Sequence, residues 1–275
     1  MSRISLSDAE ISKAAALISS ERLTKLIAIA GNAQDAIDLH QQMLTVAGAM
    51  MPVTALLEIA LRNAIYERLT TMFGTPDWLL NPPQPFKWRR GETDKIRRAL
   101  RQGQRAVHAK ISQADRQALD LITFPGGVPG RTTHDDRIEA QQNAITITVG
   151  QLIAQMSLFF WKRLFSSDYE TVLWKRSLRK LFPDKGLQRS DIAARLEAIY
   201  RARNRIAHHE LLYGQRLVNT LEAIDFIAAK FGDSAEMAII ATMIAPSRAR
   251  LQLEADLLAA MIFKFSNTPV ATDDR

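Results

Sequence analysis

The sequence contains no cysteine, which excludes disulfide bonds and thiolate metal ligands. Glycine and proline are scarce, with 12 and 10 among 275 residues, while alanine, leucine, isoleucine, arginine and glutamine are frequent. This composition predicts a mainly helical protein. There is no basic-then-apolar N-terminal leader and no uninterrupted apolar run long enough to span a bilayer. We therefore expect a soluble, cytoplasmic protein without a membrane partner.

Hydrophobic residues make up 47% of the chain, enough to bury a core as one large domain or two small ones. We predict a single all-α domain over residues 1–275, built as a multi-helix bundle. The net charge of +7 and a pI of about 9.8 favour a polyanionic partner. Basic residues concentrate at 87–110 and 175–205. A solvated helix face explains each basic stretch as well as binding does.

One stretch, Tyr200–Glu210, combines arginines, an asparagine, two histidines and a glutamate. It contains the one Arg-x₄-His pattern in the sequence, formed by Arg203 and His208. We predict a helix here from about Asp191 to Tyr213, with Ser190 as N-cap and Gly214 as stop.

A helical wheel predicts an apolar stripe on this helix. Its members are Ile192, Leu196, Ile199 and Ile206. Arg203 and Glu210 fall within the stripe, whereas Asn204 and His208 share a neighbouring polar face. A guanidinium in a core stripe needs an acidic partner or a wet cleft. The partner is either Glu210 or another acid, and Glu58 is one candidate. Glu58 is also four residues before Arg62, which favours an ion pair within their own helix.

The rest of the chain predicts further helices. Their expected positions are an N-terminal pair opening near Ser7 and Ser20, then about 35–72 with a kink at Pro52, 92–109, 113–121, a stretch from 148, 167–181, 216–231, 234–245 and 246–265. Loops are expected at 74–91, anchored by Trp78, Phe86 and Trp88, and from Phe124 through His134. A strand at 144–149 is a weaker alternative, and the tail 272–275 is expected to fray.

A metal site has little support in the sequence. His208, His209 and Glu210 are consecutive, so they would point to different faces of a helix. His134, Asp135 and Asp136 lie in a predicted loop without a further ligand at useful spacing. We expect no metal and no cofactor.

Several segments of the chain together form a recognisable ordered set: Gln151–Trp161, Leu164–Glu170, Leu173-Trp174, Leu181-Phe182-Pro183 and Arg203–Glu210, with Leu57–Asn63 in the N-terminal part. Through these segments the second half of the chain resembles the Abi-like (abortive infection) family of the HEPN superfamily. The resemblance covers roughly residues 50–230 and is clearest from 148 to 226. Residues 1–49 and 234–265 would be helical additions to that core.

The resemblance implies a HEPN-like helical bundle and a metal-independent ribonuclease centre formed where two motifs meet in a homodimer. Arg203 and His208 would be the catalytic pair, and Asn204 a supporting polar residue. Apart from the resemblance, the charge and helix patterns lead us to expect further supporting residues at Glu58, Arg62, His209 and Glu210. By the same reasoning, RNA is expected to contact the basic residues Arg201, Arg205, Arg97 and Arg101. The implied role is abortive infection against phage, often as the toxin of a toxin–antitoxin pair.

The residue types suit this chemistry. Histidine titrates near neutrality and can accept or donate a proton, while arginine grips phosphate oxygens. Two rival hypotheses stay open: a non-catalytic helical module that binds RNA or a partner protein, and a structural dimer component of a larger defence complex.

Overall fold

The computed structural model describes residues 6–232 and 239–267. Within these residues the secondary structure is helical without β-strands, so the predicted all-α, multi-helix fold class is confirmed. The α-helices are α1 (Asp8–Ile18), α2 (Ser20–Ala30), α3 (Ala33–Phe73), α4 (Arg90–His108), α5 (Gln113–Thr123), α6 (His134–Ala144), α7 (Val149–Gln155), α8 (Leu158–Arg163), α9 (Arg189–Ala207), α10 (Gly214–Gly232) and α11 (Ile239–Asn267). Short 3₁₀ or π turns occupy Ser167–Tyr169, Glu170–Trp174 and Leu178–Leu181.

The chain divides into two compact units. The first unit combines the residues up to Ala60 with those from Phe182 onward, and the second unit is Leu61–Leu181. Helix α3 belongs to the first unit up to Ala60 and to the second from Leu61. The prediction of one helical domain over 1–275, with a HEPN-like core at about 50–230, stays a prediction.

In the first unit, α9 packs against α10, α10 against α11, and α11 against α2. Gln42 on α3 joins this set, because its amide nitrogen donates to both the backbone oxygen and the carboxylate of Glu254 on α11, each at 3.0 Å. Arg248 on α11 forms two hydrogen bonds of 2.7 Å to Asp225 on α10. These contacts fix the elements on which α9 rests.

Helix α9 buries one face, as its periodicity predicts. The buried residues of that face are Ile192, Leu196, Ile199, Ala202 and Ile206. The helix begins with a capping box between Gln188 and Asp191, two residues before the predicted start. The predicted apolar stripe is thus confirmed, and it holds the polar residues of α9 in a fixed orientation.

The second unit has an aromatic centre at Trp88. The Trp88 ring lies 4.8 Å from Phe86, 5.7 Å from Phe160 and 5.8 Å from Trp78, measured between ring centroids. Its indole nitrogen also donates to the Leu79 backbone oxygen at 3.1 Å. The loop between α3 and α4 is therefore anchored by its aromatic residues, as the sequence predicts.

A charged network lies beside this aromatic centre. Glu92 on α4 is only 3% exposed, and its carboxylate accepts a 2.7 Å hydrogen bond from the Tyr169 hydroxyl. Arg163 pairs with Glu92 at 3.2 Å and also with Asp168, which Arg89 contacts at 3.1 Å. Burial and the contact with Glu92 raise the pKa of the Tyr169 phenol. Every buried charge in this network has a partner, as stability requires.

Several secondary-structure predictions are wrong. His134, Asp135 and Asp136 open helix α6 and do not lie in a loop, and Thr133 caps that helix through a bond from Asp136 N–H to its hydroxyl. Residues 167–181 form short turns of different pitch where one helix was expected. No strand occurs at 144–149. The expected helix start at Ser234 and the tail 272–275 lie outside the described residues.

Helix α3 differs from the expectation in another respect. By length and composition it could cross a membrane, whereas the sequence was expected to hold no apolar run of that length. Core helices of soluble proteins also meet this test. Val53, Leu57 and Leu61 on α3 are buried, and 39% of its most apolar window is buried in the structure.

Candidate functional site

The arginine–histidine motif, Arg203 to His208, lies at the C-terminal end of α9, where the helix closes in a Schellman motif. The His209 N–H donates to Ile206 O at 3.0 Å, and the Glu210 N–H donates to Arg205 O at 2.7 Å. His209 occupies the left-handed position of this motif, with φ of 54°, where glycine is usual. His208 is the C-cap, and its N–H donates to Asn204 O at 3.0 Å.

This closure corrects the predicted extent of the helix. The helix ends at Ala207 and does not continue to Tyr213, so His209 and Glu210 lie beyond it. Glu210 is exposed and does not belong to the apolar stripe. It pairs with Arg205 at 3.2 Å, in the position where a hydrophobic contact often closes a Schellman motif. The expected alternative partner of Arg203 is therefore bound to another arginine.

We call Arg203, Asn204 and His208 the helix-end site. Arg203 and Asn204 are half-buried on the last turn of α9, and His208 is exposed immediately after it. Within 6–232 and 239–267, none of the three side chains forms a hydrogen bond or ion pair. The site thus presents a guanidinium, an amide and an imidazole that are not committed to the fold.

The other basic residues on this part of α9 are paired. Arg201 donates to Glu197 at 2.7 Å, one turn earlier, and Arg205 is paired with Glu210. Neutralisation of these two arginines leaves Arg203 as a guanidinium available for an anion.

Glu58 does not hold Arg203 in this structure. Glu58 is half-buried on the first-unit part of α3, and it forms no ion pair with any residue that the structure describes. Arg62, which belongs to the second unit, is also half-buried, and its Nε is enclosed without a hydrogen-bond partner. The supporting roles predicted for these two residues stay predictions.

An apolar groove of about 340 Å³ adjoins the end of α9. One wall comes from α3 and includes Leu44 and Met51, whose exposed fractions are 42% and 45%. The other wall comes from Ile206 and the segment after the helix, including Leu211 and Leu212. Ile206 and Ala207 belong both to the motif segment and to the groove lining, and His209 and Glu210 also line the groove.

A second basic surface lies on α4 in the second unit. Arg97, Arg101 and Arg105 follow at intervals of four residues, so they form a row along one face of the helix. All three are exposed, and none is in an ion pair within the described part of the chain. The opposite face of α4 is buried through Ile96 and Ala99. This row suits phosphate groups spaced along a strand.

Metal ligands do not cluster in the part of the chain that the structure describes. No group of three or more His, Asp or Glu side chains there could hold an ion.

Sequence reasoning missed the groove and the geometry of the helix end. The groove required knowledge that α3 packs beside the segment 206–212, and no local pattern reveals this. The helix end had a weak signal, because Leu211 and Leu212 would fall outside the apolar stripe if the helix continued. Gly214 drew attention as the stop residue, although histidine also tolerates the left-handed conformation.

Comparison of the chain with models of known protein families, with curated proteins and with solved structures found no match.

Proposed function

We propose that the chain is a HEPN-type endoribonuclease of the Abi-like kind, which cleaves RNA without a metal in abortive-infection or toxin-type phage defence. The observation that carries this proposal concerns the side chains of Arg203, Asn204 and His208 at one helix end. None of them forms a hydrogen bond or ion pair with the residues that the structure describes. Neighbouring Arg201 and Arg205 are bound to acids, so the arginine of the motif is the one left open.

The proposed reaction uses the 2′-hydroxyl of RNA as the nucleophile. It attacks the adjacent phosphate, the bond to the 5′-oxygen breaks, and a 2′,3′-cyclic phosphate and a 5′-hydroxyl result. A base must take the proton from the 2′-hydroxyl, and an acid must give one to the departing oxygen. His208 suits either role because an imidazole ring can both accept and donate a proton. Arg203 would stabilise the negative charge that develops on the phosphorane oxygens.

A two-histidine acid–base pair requires two copies of the chain. Each chain contributes one His208, and five residues of helix rotate by roughly 140°, so Arg203 and His208 point in different directions from the helix axis. A homodimer that brings two helix ends together would provide both proton-transfer groups around one phosphate. The exposed end of α9 leaves His208 accessible to such a partner.

Each unit carries basic residues that are candidates for RNA contact in their own right. Arg97 and Arg101 are exposed and unpaired among the described residues, whereas Arg201 and Arg205 already have acidic partners. We therefore expect the α4 row to bind phosphate groups more strongly than Arg201 and Arg205 do. This binding should appear as a salt-dependent affinity.

Cleavage of total or transfer RNA in excess chelator tests the proposal. The wild-type protein is expected to leave 2′,3′-cyclic phosphate ends. His208→Ala should lower the rate about 100-fold or more, because a positioned general acid or base contributes that much. Arg250→Ala, an exposed arginine elsewhere in the first unit, is the control and should cut normally.

Cleavage by His208→Ala at the wild-type rate would reject the catalytic assignment. Wild-type protein that shifts RNA in a salt-sensitive manner without cutting it would instead support an RNA-binding module.

The second candidate function is a non-catalytic module that binds a partner protein, such as an antitoxin or another defence component. The apolar groove beside α9 favours it, because Leu44 and Met51 expose apolar surface that a protein segment would cover. Met51→Asp should weaken such binding while leaving cleavage of free RNA intact. Loss of both would favour a groove that serves the nuclease itself.

A further inference from the structure

The second unit contains a cleft of about 610 Å³ between the end of α4 and the helices α5 and α6. It is separate in sequence from the helix-end site, and the ribonuclease proposal does not use it. Its volume lies in the range of small-molecule sites, which is roughly 300–1,000 Å³. Three of its wall residues, His108, Asp120 and Gln141, are polar and more than nine-tenths buried.

These wall residues form one hydrogen-bonded chain. Arg137 donates through Nε to Asp120 at 3.0 Å and through a second nitrogen to the other carboxylate oxygen. The Gln141 amide nitrogen donates to Asp120 at 2.7 Å and to the Arg116 backbone oxygen at 3.3 Å. The Gln141 oxygen lies 2.8 Å from His108 Nε2. The contact with Arg137 holds the pKa of Asp120 below its usual range.

The chain fixes the tautomer of His108. Since the Gln141 nitrogen is donating to two acceptors, its oxygen is an acceptor, and His108 Nε2 must carry the hydrogen. In the neutral ring, Nδ1 is then an acceptor. The side chains of Arg137, Asp120, Gln141 and His108 are therefore preorganised, each with a defined hydrogen-bonding role.

The lining of the cleft contains more cationic hydrogen-bond donors than carboxylates. Asp120 is its one carboxylate, and both of its oxygens are taken by Arg137 and Gln141. Arg116 and His134 also line the cleft, and both side chains are exposed. Neither is in an ion pair with another residue in 6–232 or 239–267. An anion is the ligand that this arrangement would bind, and arginine favours phosphate.

The other residues that line the cleft indicate a ligand with further groups besides a phosphate. Ile111 and Ile138 give apolar surface, and Gln113 and Gln117 provide amides that can both donate and accept. An apolar ring with hydrogen-bonding edges fits such a lining.

We propose that this cleft binds a nucleoside monophosphate, with the phosphate on Arg116 and His134 and the base between Ile111 and Ile138. The chain from Arg137 to His108 holds the wall in place and presents His108 to the ligand. The site belongs to the second unit and is independent of Arg203 and His208.

Isothermal titration of the full-length chain with AMP, GMP, CMP and UMP tests the proposal. The titrations use protein that carries Arg203→Ala, so that the proposed ribonuclease site does not contribute. At least one nucleotide should bind, and Arg116→Ala should weaken that binding about tenfold or more, because a charge-assisted phosphate contact is lost. Arg179→Ala, an exposed arginine elsewhere in the second unit, should bind as its parent does.

Arg116 contributes only its backbone oxygen to the buried chain, so its side-chain variant should fold. Failure of all four nucleotides to bind at millimolar concentration would overturn the proposal. Equal binding by the Arg116→Ala protein would do the same. If inorganic phosphate bound as tightly as the best nucleotide, with the same dependence on Arg116, the nucleotide assignment would be wrong. None of these results would bear on RNA cleavage.

Discussion

Two half-buried arginines, one in each unit, are used in opposite ways. Arg163 in the second unit pairs with Glu92 and Asp168, beside a tyrosine that shares the same glutamate. Arg203 in the first unit forms no ion pair with any described residue. An arginine that holds elements together has its hydrogen-bond donors committed, whereas one that serves a ligand keeps them available. The sequence shows an arginine near core residues in both places and does not distinguish the two uses.

Replacing each arginine with alanine should therefore produce opposite losses. Arg203→Ala should lower RNA cleavage about 10²–10³-fold, the usual cost of losing a group that stabilises transition-state charge. Its free energy of unfolding should change by no more than about 1 kcal/mol, because no partner loses a contact. Arg163→Ala should cost about 3 kcal/mol of stability, because Glu92 is left buried and uncompensated.

Urea denaturation and a cleavage assay on both variants measure this contrast. Destabilisation by Arg203→Ala as large as that by Arg163→Ala would mean that Arg203 is structural. Glu92→Gln combined with Arg163→Ala should recover part of the loss, since the stranded charge is removed. The recovery would show that the loss came from the uncompensated carboxylate.

The body of α9 could be predicted from the sequence, but its end could not. Ile192, Leu196, Ile199 and Ile206 repeat at helical spacing, and burial against neighbouring helices follows from that repeat. The end depends on His209 adopting a left-handed conformation. The favourable hydrogen bonds of the Schellman motif outweigh the energetic cost of that conformation. A residue-type preference for glycine at that position pointed to Gly214 instead.

The helices of the second unit were harder to predict, because several of their polar residues are buried. Helix α6 has Ile138 as its one large apolar residue, and it packs through Gln141, so the apolar period is missing. Helix α4 gives no clearer signal, because His108 lies about 180° around the helix from Ala99 and so falls outside the stripe of Ile96 and Ala99, although it is buried. Its burial and its hydrogen bond with Gln141 can be identified only in three dimensions.

Acid should act on the buried polar chain of the second unit. The pKa of Asp120 is lowered chiefly by its hydrogen bonds from Arg137, so the ionised carboxylate is favoured in the folded state. Its contribution to stability is present above the unfolded pKa of about 4 and is lost as the pH falls through the lower folded pKa. Asp120→Asn should therefore lower the Tm at pH 7.

The difference in Tm between wild type and Asp120→Asn should shrink as the pH falls below about 4, because both chains then lack the charge. Thermal unfolding followed by circular dichroism from pH 7 to pH 3 measures it. A constant difference across that range would show that the ionised carboxylate is not what stabilises the wall.

The smallest expected effect is that of substitutions at His209. They distinguish the contribution of the backbone conformation at the helix end from that of the side-chain chemistry. His209→Gly should stabilise the chain by about 0.5 kcal/mol, because glycine adopts the left-handed conformation without strain and part of that gain is offset by its larger unfolded-state entropy. His209→Ala keeps the strain and should not stabilise. Cleavage should persist in both variants if His208, and not its neighbour, transfers the proton. Loss of cleavage in both the alanine and the glycine variants would assign the imidazole of His209 to the reaction. Loss of cleavage in the glycine variant alone would mean that a rigid left-handed turn holds His208 in place.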